Sequence, residues 1–213
     1  MIDEMKIRHV FIVIVLLFVT IACTKTVVYT DDFGHKTSQV EMKGGVPHGK
    51  TILYFNDGEN ILQETNYKKG KMNGYSTRWF FNGGKEYEEY YVDNVLEGQK
   101  NTWDRTGLLR ASDSYCHGLL NGNCSKWYDN GQIQIESYYK MGMPDSIWYY
   151  YDYYGLEVGR AKFHDGDGTQ IAISPNNEIK ITEYKKGEPV SDSVMVFEST
   201  AQYNELVKRL LYQ

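Results

Sequence analysis

Aromatic residues recur along this chain at a nearly constant interval of 24 residues, with polar segments and glycines between them. The first series consists of Tyr54, Trp79, Trp103, Trp127 and Tyr151. The second series consists of Tyr67, Tyr91, Tyr115, Tyr139 and Phe163. Because side chains alternate between the two faces of a strand, equivalent positions in successive repeats are expected to stack on one face. The pattern therefore predicts aromatic ladders on a β-sheet, which are either structural or a platform for a ligand.

Glycines mark the turns of the same repeat. One series is Gly49, Gly74, Gly98 and Gly122, continued by Ser146, and a second glycine follows nine residues after each, at Gly58, Gly83, Gly107, Gly131 and Gly155. Asn-Gly and Asp-Gly between β-prone segments are typical of hairpin turns. Connections this short leave no room for a helical crossover. We therefore predict an all-β protein, in which five β-hairpin repeats over residues 43–163 form an antiparallel meander.

The segments around the clear repeats depart from this pattern. One extra residue lies between Gly58 and Tyr67, where we expect a β-bulge. Residues 164–198 are predicted to continue the sheet as degenerate strands. Residues 199–213 carry apolar positions at helical spacing, and Ser199 fits a capping box, which predicts a C-terminal helix. We expect this helix to cap the last strands, and the alternative is a helix that binds a partner or lies on a membrane.

Residues 127–140 and 66–74 resemble the bacterial MORN-variant repeat, where MORN stands for membrane occupation and recognition nexus. The resemblance covers residues 43–163. It implies an elongated, twisted, single-layer antiparallel sheet, and it is specific for the repeat and its fold rather than for an activity. Some bacterial members carry an antitoxin label, so the resemblance adds an antitoxin or immunity-type binder as an alternative function.

Composition agrees with this class of fold. The chain has 213 residues, of which 41% are hydrophobic and 24% charged, as expected for a globular rather than a disordered protein. Its 19 Tyr and 20 Gly favour strands and tight turns over helices. The net charge of -5 argues against a nucleic-acid partner, because such a partner requires a basic surface.

The N-terminus is typical of an exported protein. Residues 10–22 form an uncharged apolar run of 13 residues, too short to cross a membrane comfortably and suited to the core of a signal peptide. Asp3 and Glu4 spoil the basic start, which suggests initiation at Met5. Residues 19–23 resemble the lipobox of bacterial lipoproteins. The resemblance implies a signal peptide over residues 1–22 and a lipidated Cys23 on the cell envelope, most simply the outer membrane.

Lipidation at Cys23 would make residues 23–42 a lipid-anchored linker. Ordinary secretion and an uncleaved short anchor are the alternatives. Two further cysteines, Cys116 and Cys124, are eight residues apart on either side of an expected turn. In an oxidising compartment this spacing predicts a disulfide across neighbouring strands, with two free buried thiols as the alternative.

Sequence motifs for chemistry are sparse. The five histidines do not follow the repeat, and no zinc-protease, nucleophile-elbow or phosphate-loop pattern occurs. We therefore expect no catalytic residue, metal or cofactor. The expected function is a membrane-anchored, non-enzymatic scaffold that binds another protein. The main alternative is a surface lipoprotein that binds glycans through its aromatic ladders.

Overall fold

One open β-sheet makes up nearly all of the structure. The computed structural model describes residues 23–174, 176, 178–197 and 199–212. The strands are β1 Lys25–Thr30, β2 Lys36–Lys43, β3 Val46–Tyr54, β4 Ile61–Lys68, β5 Lys71–Trp79, β6 Lys85–Val92, β7 Val95–Trp103, β8 Leu109–Cys116, β9 Leu119–Trp127, β10 Ile133–Lys140, β11 Met143–Tyr151, β12 Glu157–His164, β13 Asp167–Ser174, β14 Glu178–Lys185 and β15 Glu188–Val196. The one helix among these residues, α1, spans Thr200–Tyr212.

The order of strands in the sheet is their order in the chain, from β1 to β15, and all the pairings are antiparallel. This confirms the predicted all-β antiparallel meander. Short turns cause the topology, because a hairpin turn can only join antiparallel neighbours. Neighbouring strands lie about 4.8 Å apart, so the 14 intervals between 15 strands give a sheet about 67 Å wide.

The turns on one edge of the sheet, here called the tight-turn edge, contain two residues each. They are residues 44–45, 69–70, 93–94, 117–118, 141–142, 165–166 and 186–187. Both residues of every such turn have positive φ, for example His117 at 52° and Gly118 at 78°. This is the type I′ geometry, whose backbone twist matches that of the flanking strands. Glycine or asparagine at the second position tolerates this conformation at little cost.

Hydrogen bonds tie each tight turn after the first to the hairpin before it. The Gly118 N–H donates to the Leu96 carbonyl oxygen at 3.0 Å, and the His117 N–H donates to Oε1 of Glu97 at 2.8 Å. The side-chain bond recurs in the next two hairpins, from Met141 to Asn121 and from Asp165 to Asp145. Successive repeats are therefore coupled along this edge as well as through the strand ladders.

The turns on the opposite edge, here called the wide-turn edge, contain the glycines Gly34, Gly58, Gly83, Gly107, Gly131 and Gly155. In each of these hairpins, the strand that follows the turn contains one residue that is left out of the pairing with the strand before it. These bulged residues are Thr37, Leu62, Glu86, Arg110, Gln134 and Val158. The bulge is therefore a property of every repeat.

The bulge predicted between Gly58 and Tyr67 is present, but the inserted residue does not cause it. The insertion lengthens the turn instead. The Phe55 N–H donates to the Asn60 carbonyl oxygen across that turn, five residues on, whereas in the next repeat the corresponding bond spans four residues. A wide turn absorbs an extra residue without moving the strand register.

Residues 23–42 are not a linker. They contain β1 and nearly all of β2, which form a hairpin that precedes the five predicted repeats. Gly34 lies 24 residues before Gly58, and both have positive φ. The glycine period therefore extends to this hairpin. The aromatic pattern does not, because Thr30 lies where the first aromatic series would place a ring.

Residues 164–198 contribute three regular strands, β13 to β15, to the same sheet. The helix α1 begins where the sequence pattern predicts, and Oγ of Ser199 accepts a hydrogen bond from the Gln202 N–H at 3.4 Å. This bond satisfies one of the free donors of the first helical turn. The role of α1 as a cap on the last strands stays a prediction.

A single layer buries few side chains completely. Among the described residues the buried hydrophobic side chains are Cys124, Ala161, Phe163 and Ile179. All of them lie in β9 to β14, whereas β4 to β6 bury polar side chains instead, so the apolar core of the described sheet lies in its C-terminal half. The rings of the two aromatic series are half-buried, apart from that of Phe163, which is buried.

Candidate functional site

The two aromatic series lie on opposite faces of the sheet. Glu136 and Tyr139 are three residues apart in β10, so their side chains point to opposite faces. Tyr151 of the first series donates its hydroxyl to Glu136 at 2.9 Å, whereas Tyr139 belongs to the second series and contacts Trp148. We call the face of the first series the tryptophan face and that of the second series the tyrosine face.

On the tyrosine face the rings form a continuous row toward the C-terminus. Tyr139 and Trp148 have centroids 5.0 Å apart, Trp148 and Phe163 4.8 Å, and Phe163 and Tyr184 5.3 Å. Trp148 and Tyr184 were not among the predicted ladder residues, yet they complete the contacts. The other predicted members, Tyr67, Tyr91 and Tyr115, are half-buried.

A charged cluster occupies the same face in the middle of the sheet. Glu89, only 7% exposed, pairs with Lys100 at 3.0 Å and accepts a hydrogen bond from the Tyr91 hydroxyl at 2.9 Å. Burial alone would lower the pKa of Lys100, but the hydrogen bond and charge of Glu89 outweigh it and raise that pKa. Burial and the bond to Glu89 raise the pKa of Tyr91. The cluster satisfies its own charges and so fits a structural role.

On the tryptophan face the first series is half-buried, and cations cover some of its rings. Lys36 Nζ lies 5.4 Å from the centroid of Tyr54, and Lys85 Nζ lies 5.6 Å from that of Trp103. These are cation–π distances. Rings covered in this way are less available for stacking on a sugar than the sequence pattern suggests.

The three most exposed aromatic rings of the described residues, those of Phe33, Phe81 and Tyr154, lie in turns of the wide-turn edge rather than in the ladders. Together with the neighbouring rings of the same turns they form a set that we call the aromatic edge, which comprises Phe33, Phe55, Phe80, Phe81, Tyr128, Tyr153 and Tyr154. Phe33 is 86% exposed, Phe81 65% and Tyr154 84%. Sequence reasoning missed these residues, although several follow the first aromatic series by one to three positions in the same frame.

Two shallow clefts flank the turn of the second repeat. The larger, about 540 Å³, is lined by Phe55, Trp79, Phe80 and Phe81, together with polar groups. Residues 79–81 also form one wall of a smaller cleft of about 350 Å³. The ring of Phe81 packs edge-on against Phe55 with centroids 5.2 Å apart. The turn therefore presents an apolar ridge between two depressions.

Charged groups border the larger cleft. Arg78 Nε lies 2.8 Å from Glu86, which is the bulged residue of this repeat. Arg105 from the following turn lies over the ring of Phe80, 5.7 Å from its centroid. The Asn82 amide donates to the Arg105 carbonyl oxygen at 2.9 Å, so the two turns are held together.

A second aromatic group lies further along the same edge. Tyr128 and Tyr153 pack edge-on at 5.5 Å, and Tyr153 contacts Tyr154 at 6.0 Å. The Tyr128 hydroxyl donates to the Tyr151 carbonyl oxygen, and the Asn130 amide donates to the Tyr153 carbonyl oxygen at 2.7 Å. These bonds hold the exposed rings in fixed positions.

The structure contradicts the predicted disulfide between Cys116 and Cys124. Because the turn that joins their strands contains only residues 117–118, Cys116 pairs with Leu119, and Cys124 pairs with Asp113. Both cysteines are free thiols. The prediction placed the centre of the turn near Leu120, whereas the turn consists of residues 117–118, and such a shift moves each residue away from its expected partner.

Cys124 and Cys23 differ in environment. Cys124 is 4% exposed, and burial raises the pKa of its thiol to about 11, which makes it a poor nucleophile. Cys23, the predicted lipidation site, is exposed and lies two residues before β1. Residues 1–22, the predicted signal peptide, lie outside the described residues.

Within the described part of the chain, no helix is long and apolar enough to cross a membrane. No protein-family model and no curated protein matches the sequence. A crystal structure of a GtfA/B complex bound to UDP and GlcNAc is similar over 64% of this chain and 25% of that chain, with 16% sequence identity and a TM-score of 0.21. At that TM-score the similarity supports no conclusion about fold or function.

Proposed function

We propose that this protein is a non-enzymatic scaffold of the cell envelope that binds another protein through the aromatic edge. The observation that carries the proposal is the exposure of aromatic rings on turns that are hydrogen-bonded to one another, as at Phe81 and Tyr154. Exposed apolar groups on a rigid support favour binding, because little conformational entropy is lost when the partner docks.

The chemistry of the edge fits a protein partner. Aromatic residues and arginine are enriched in the energetically dominant parts of protein interfaces. Phe80, Phe81 and Arg105 combine these side chains around one cleft, with the Arg78–Glu86 ion pair at its border. Small-molecule and catalytic sites are usually deep and enclosed, whereas the clefts here are shallow and open.

A glycan ligand is the second candidate. The ring of Tyr154 is 84% exposed and nearly perpendicular to that of Tyr153, so it offers a free face on which a sugar ring could stack. This candidate now rests on the aromatic edge rather than on the two ladders, since the ladders are half-buried.

Anchoring through Cys23 is the other part of the proposal. With β1 starting at Lys25, a lipid on Cys23 leaves almost no spacer between the acyl chains and the sheet. Edge strand β1 would then lie close to the membrane surface. The sheet would project by up to about 67 Å, its width across the strands, and would present successive wide turns at increasing distance from the membrane.

Labelled palmitate is expected to enter the protein in its native bacterium and to be absent from a Cys23→Ser variant. The reason is that the lipobox resemblance makes the thiol of Cys23 the group that accepts the lipid. Autoradiography of the immunoprecipitated protein measures the label. A Cys116→Ser variant is the matched control and should keep the label. Incorporation that persists in Cys23→Ser would remove the lipid anchor from the proposal.

A photoreactive benzoylphenylalanine at position 81 or 154 is expected to give a discrete, protease-sensitive adduct in cells, because both side chains project from the aromatic edge. The matched control places the same group at Met141, which is 51% exposed on the tight-turn edge. It should give much less of this adduct. Immunoblotting and mass spectrometry identify the product.

The outcomes of this experiment separate the candidates. An adduct that resists protease and is broken down by periodate identifies a glycan and contradicts the protein partner. Equal adduct formation from positions 81, 154 and 141 contradicts a role for the aromatic edge, and so does the absence of an adduct from positions 81 and 154.

A further inference from the structure

Three metal-binding side chains meet on the tight-turn edge, away from the aromatic edge. Glu97, Cys116 and His117 place one donor atom each within 4.8 Å of one another, and Sγ of Cys116 lies 3.1 Å from Nδ1 of His117. No other three Cys, His, Asp or Glu side chains of the described residues come as close. No sequence motif indicates a metal site here, because Glu97 lies 19 and 20 positions before the adjacent Cys116 and His117 and the three match no ligand pattern.

The repeat geometry brings these residues together. Glu97 is in β7 and Cys116 ends β8, and continuing the register from the Gly98–Tyr115 pair by one residue sets Glu97 opposite Cys116. His117 opens the two-residue turn with a φ of 52°, which folds its ring back toward the thiol. The cluster is therefore built by one tight turn and the strand before it.

A hydrogen bond already orients the carboxylate. Oε1 of Glu97 accepts the N–H of His117 at 2.8 Å, a bond that recurs at the next two tight turns. Its other oxygen, Oε2, has lone pairs for a cation. Hydrogen bonds of this kind fix the metal ligands in position and strengthen metal binding.

We propose that Glu97, Cys116 and His117 bind one Zn²⁺ ion. Thiolate and imidazole favour zinc over the hard cations calcium and magnesium, and a carboxylate is an accepted third zinc ligand. Zinc–ligand distances of about 2.0–2.3 Å in a tetrahedron put donor atoms roughly 3.3–3.8 Å apart, which small side-chain rotations reach from the observed arrangement.

Three protein ligands leave the fourth position of the ion open. Cys116 is half-buried and His117 is exposed, so that position faces solvent. It can take a water molecule or a side chain from a second protein. Because Cys116 must lose its proton to bind, affinity for the metal falls as pH is lowered.

Cobalt(II) titration of the full-length protein tests the site directly. All variants carry Cys23→Ser, which removes the exposed Cys23 thiol as a competing ligand, and all are purified in detergent. We expect one Co²⁺ per chain and a thiolate-to-cobalt charge-transfer band in the near ultraviolet, which one equivalent of Zn²⁺ abolishes. Zinc affinity is then measured by competition with a chromophoric chelator.

Substitutions assign the ligands. Cys116→Ser should abolish the charge-transfer band, whereas Cys124→Ser should keep it. His117→Ala and Glu97→Gln should weaken zinc binding by at least about tenfold, because even the loss of a residue that only hydrogen-bonds to a metal ligand costs about 10–100-fold. Glu97→Gln keeps an oxygen that can accept the His117 N–H, so its fold is preserved.

His164→Ala, two tight turns along at the position equivalent to Cys116, is the control for a general histidine effect and should leave the affinity unchanged. Thermal melting of each variant confirms that it is folded. The proposal is overturned if the parent protein gives no charge-transfer band or if the band survives in folded Cys116→Ser.

Discussion

A Phe163→Ala variant is expected to lose about 3–5 kcal/mol of unfolding free energy, the usual cost of removing a buried phenylalanine side chain. Phe163 is 5% exposed, and its ring contacts Trp148 at 4.8 Å and Tyr184 at 5.3 Å. In a protein of this size 1 kcal/mol moves the melting temperature by about 2–4 °C, so a fall of about 6–20 °C is expected. Thermal and urea denaturation followed by circular dichroism measure the effect.

Tyr154→Ala is the matched control. Tyr154 is also aromatic and lies in the neighbouring hairpin turn, but it is 84% exposed, so its loss should change stability by less than about 0.5 kcal/mol. Trp103→Ala should fall between the two, since Trp103 is half-buried under Lys85. Equal melting of Phe163→Ala and Tyr154→Ala would contradict the view that the ring row of the tyrosine face is the core of the sheet.

The Phe163→Ala substitution should weaken one end of the sheet more than the other. In a repeat array each unit contacts mainly its neighbours, so destabilisation stays close to its origin. Phe163 in β12 connects the central strands to Tyr184 in β14. Amide exchange in β13 to β15 should therefore accelerate before exchange in β3 to β7.

The meander could be predicted from the sequence because its signals are local and repeated. Glycines such as Gly58 and Gly83 occupy positions with positive φ, where other residues are strained, so the period of glycine directly reports the period of turns. The aromatic series report the alternation of faces. Each hairpin needs only its own residues and those of the next, which is why one 24-residue pattern was enough.

Register and side-chain clusters could not be predicted in this way. The pairing of Cys116 with Leu119 depends on whether a turn has two residues or more, and a short Gly-containing segment is compatible with both. The meeting of Glu97 with His117 depends on the contact between one tight turn and the strand before it. Such contacts arise from tertiary geometry and leave no spacing that a sequence motif would show.

Gly168 shows how a missing side chain can organise the core. It lies in β13, directly opposite Phe163 of β12 on one side and Tyr184 of β14 on the other. Because Gly168 has no side chain, the two rings meet above it with centroids 5.3 Å apart. Aromatic side chains that cover a glycine on a neighbouring strand are a known way to stabilise a sheet.

Gly168→Ala is therefore expected to destabilise the protein by about 1–3 kcal/mol, although it adds only a methyl group. The new Cβ would lie 2.2 Å from the Lys162 carbonyl oxygen and 2.6 Å from the Phe163 ring, so the backbone and the ring must both move. Gly84→Ala is the matched control, since its Cβ meets only a side-chain oxygen at 3.3 Å, and its effect should stay within about 1 kcal/mol. Urea denaturation gives the stability, and near-ultraviolet circular dichroism reports the ring pair. Unchanged stability and an unchanged aromatic signal in Gly168→Ala would show that the rings do not meet over this glycine.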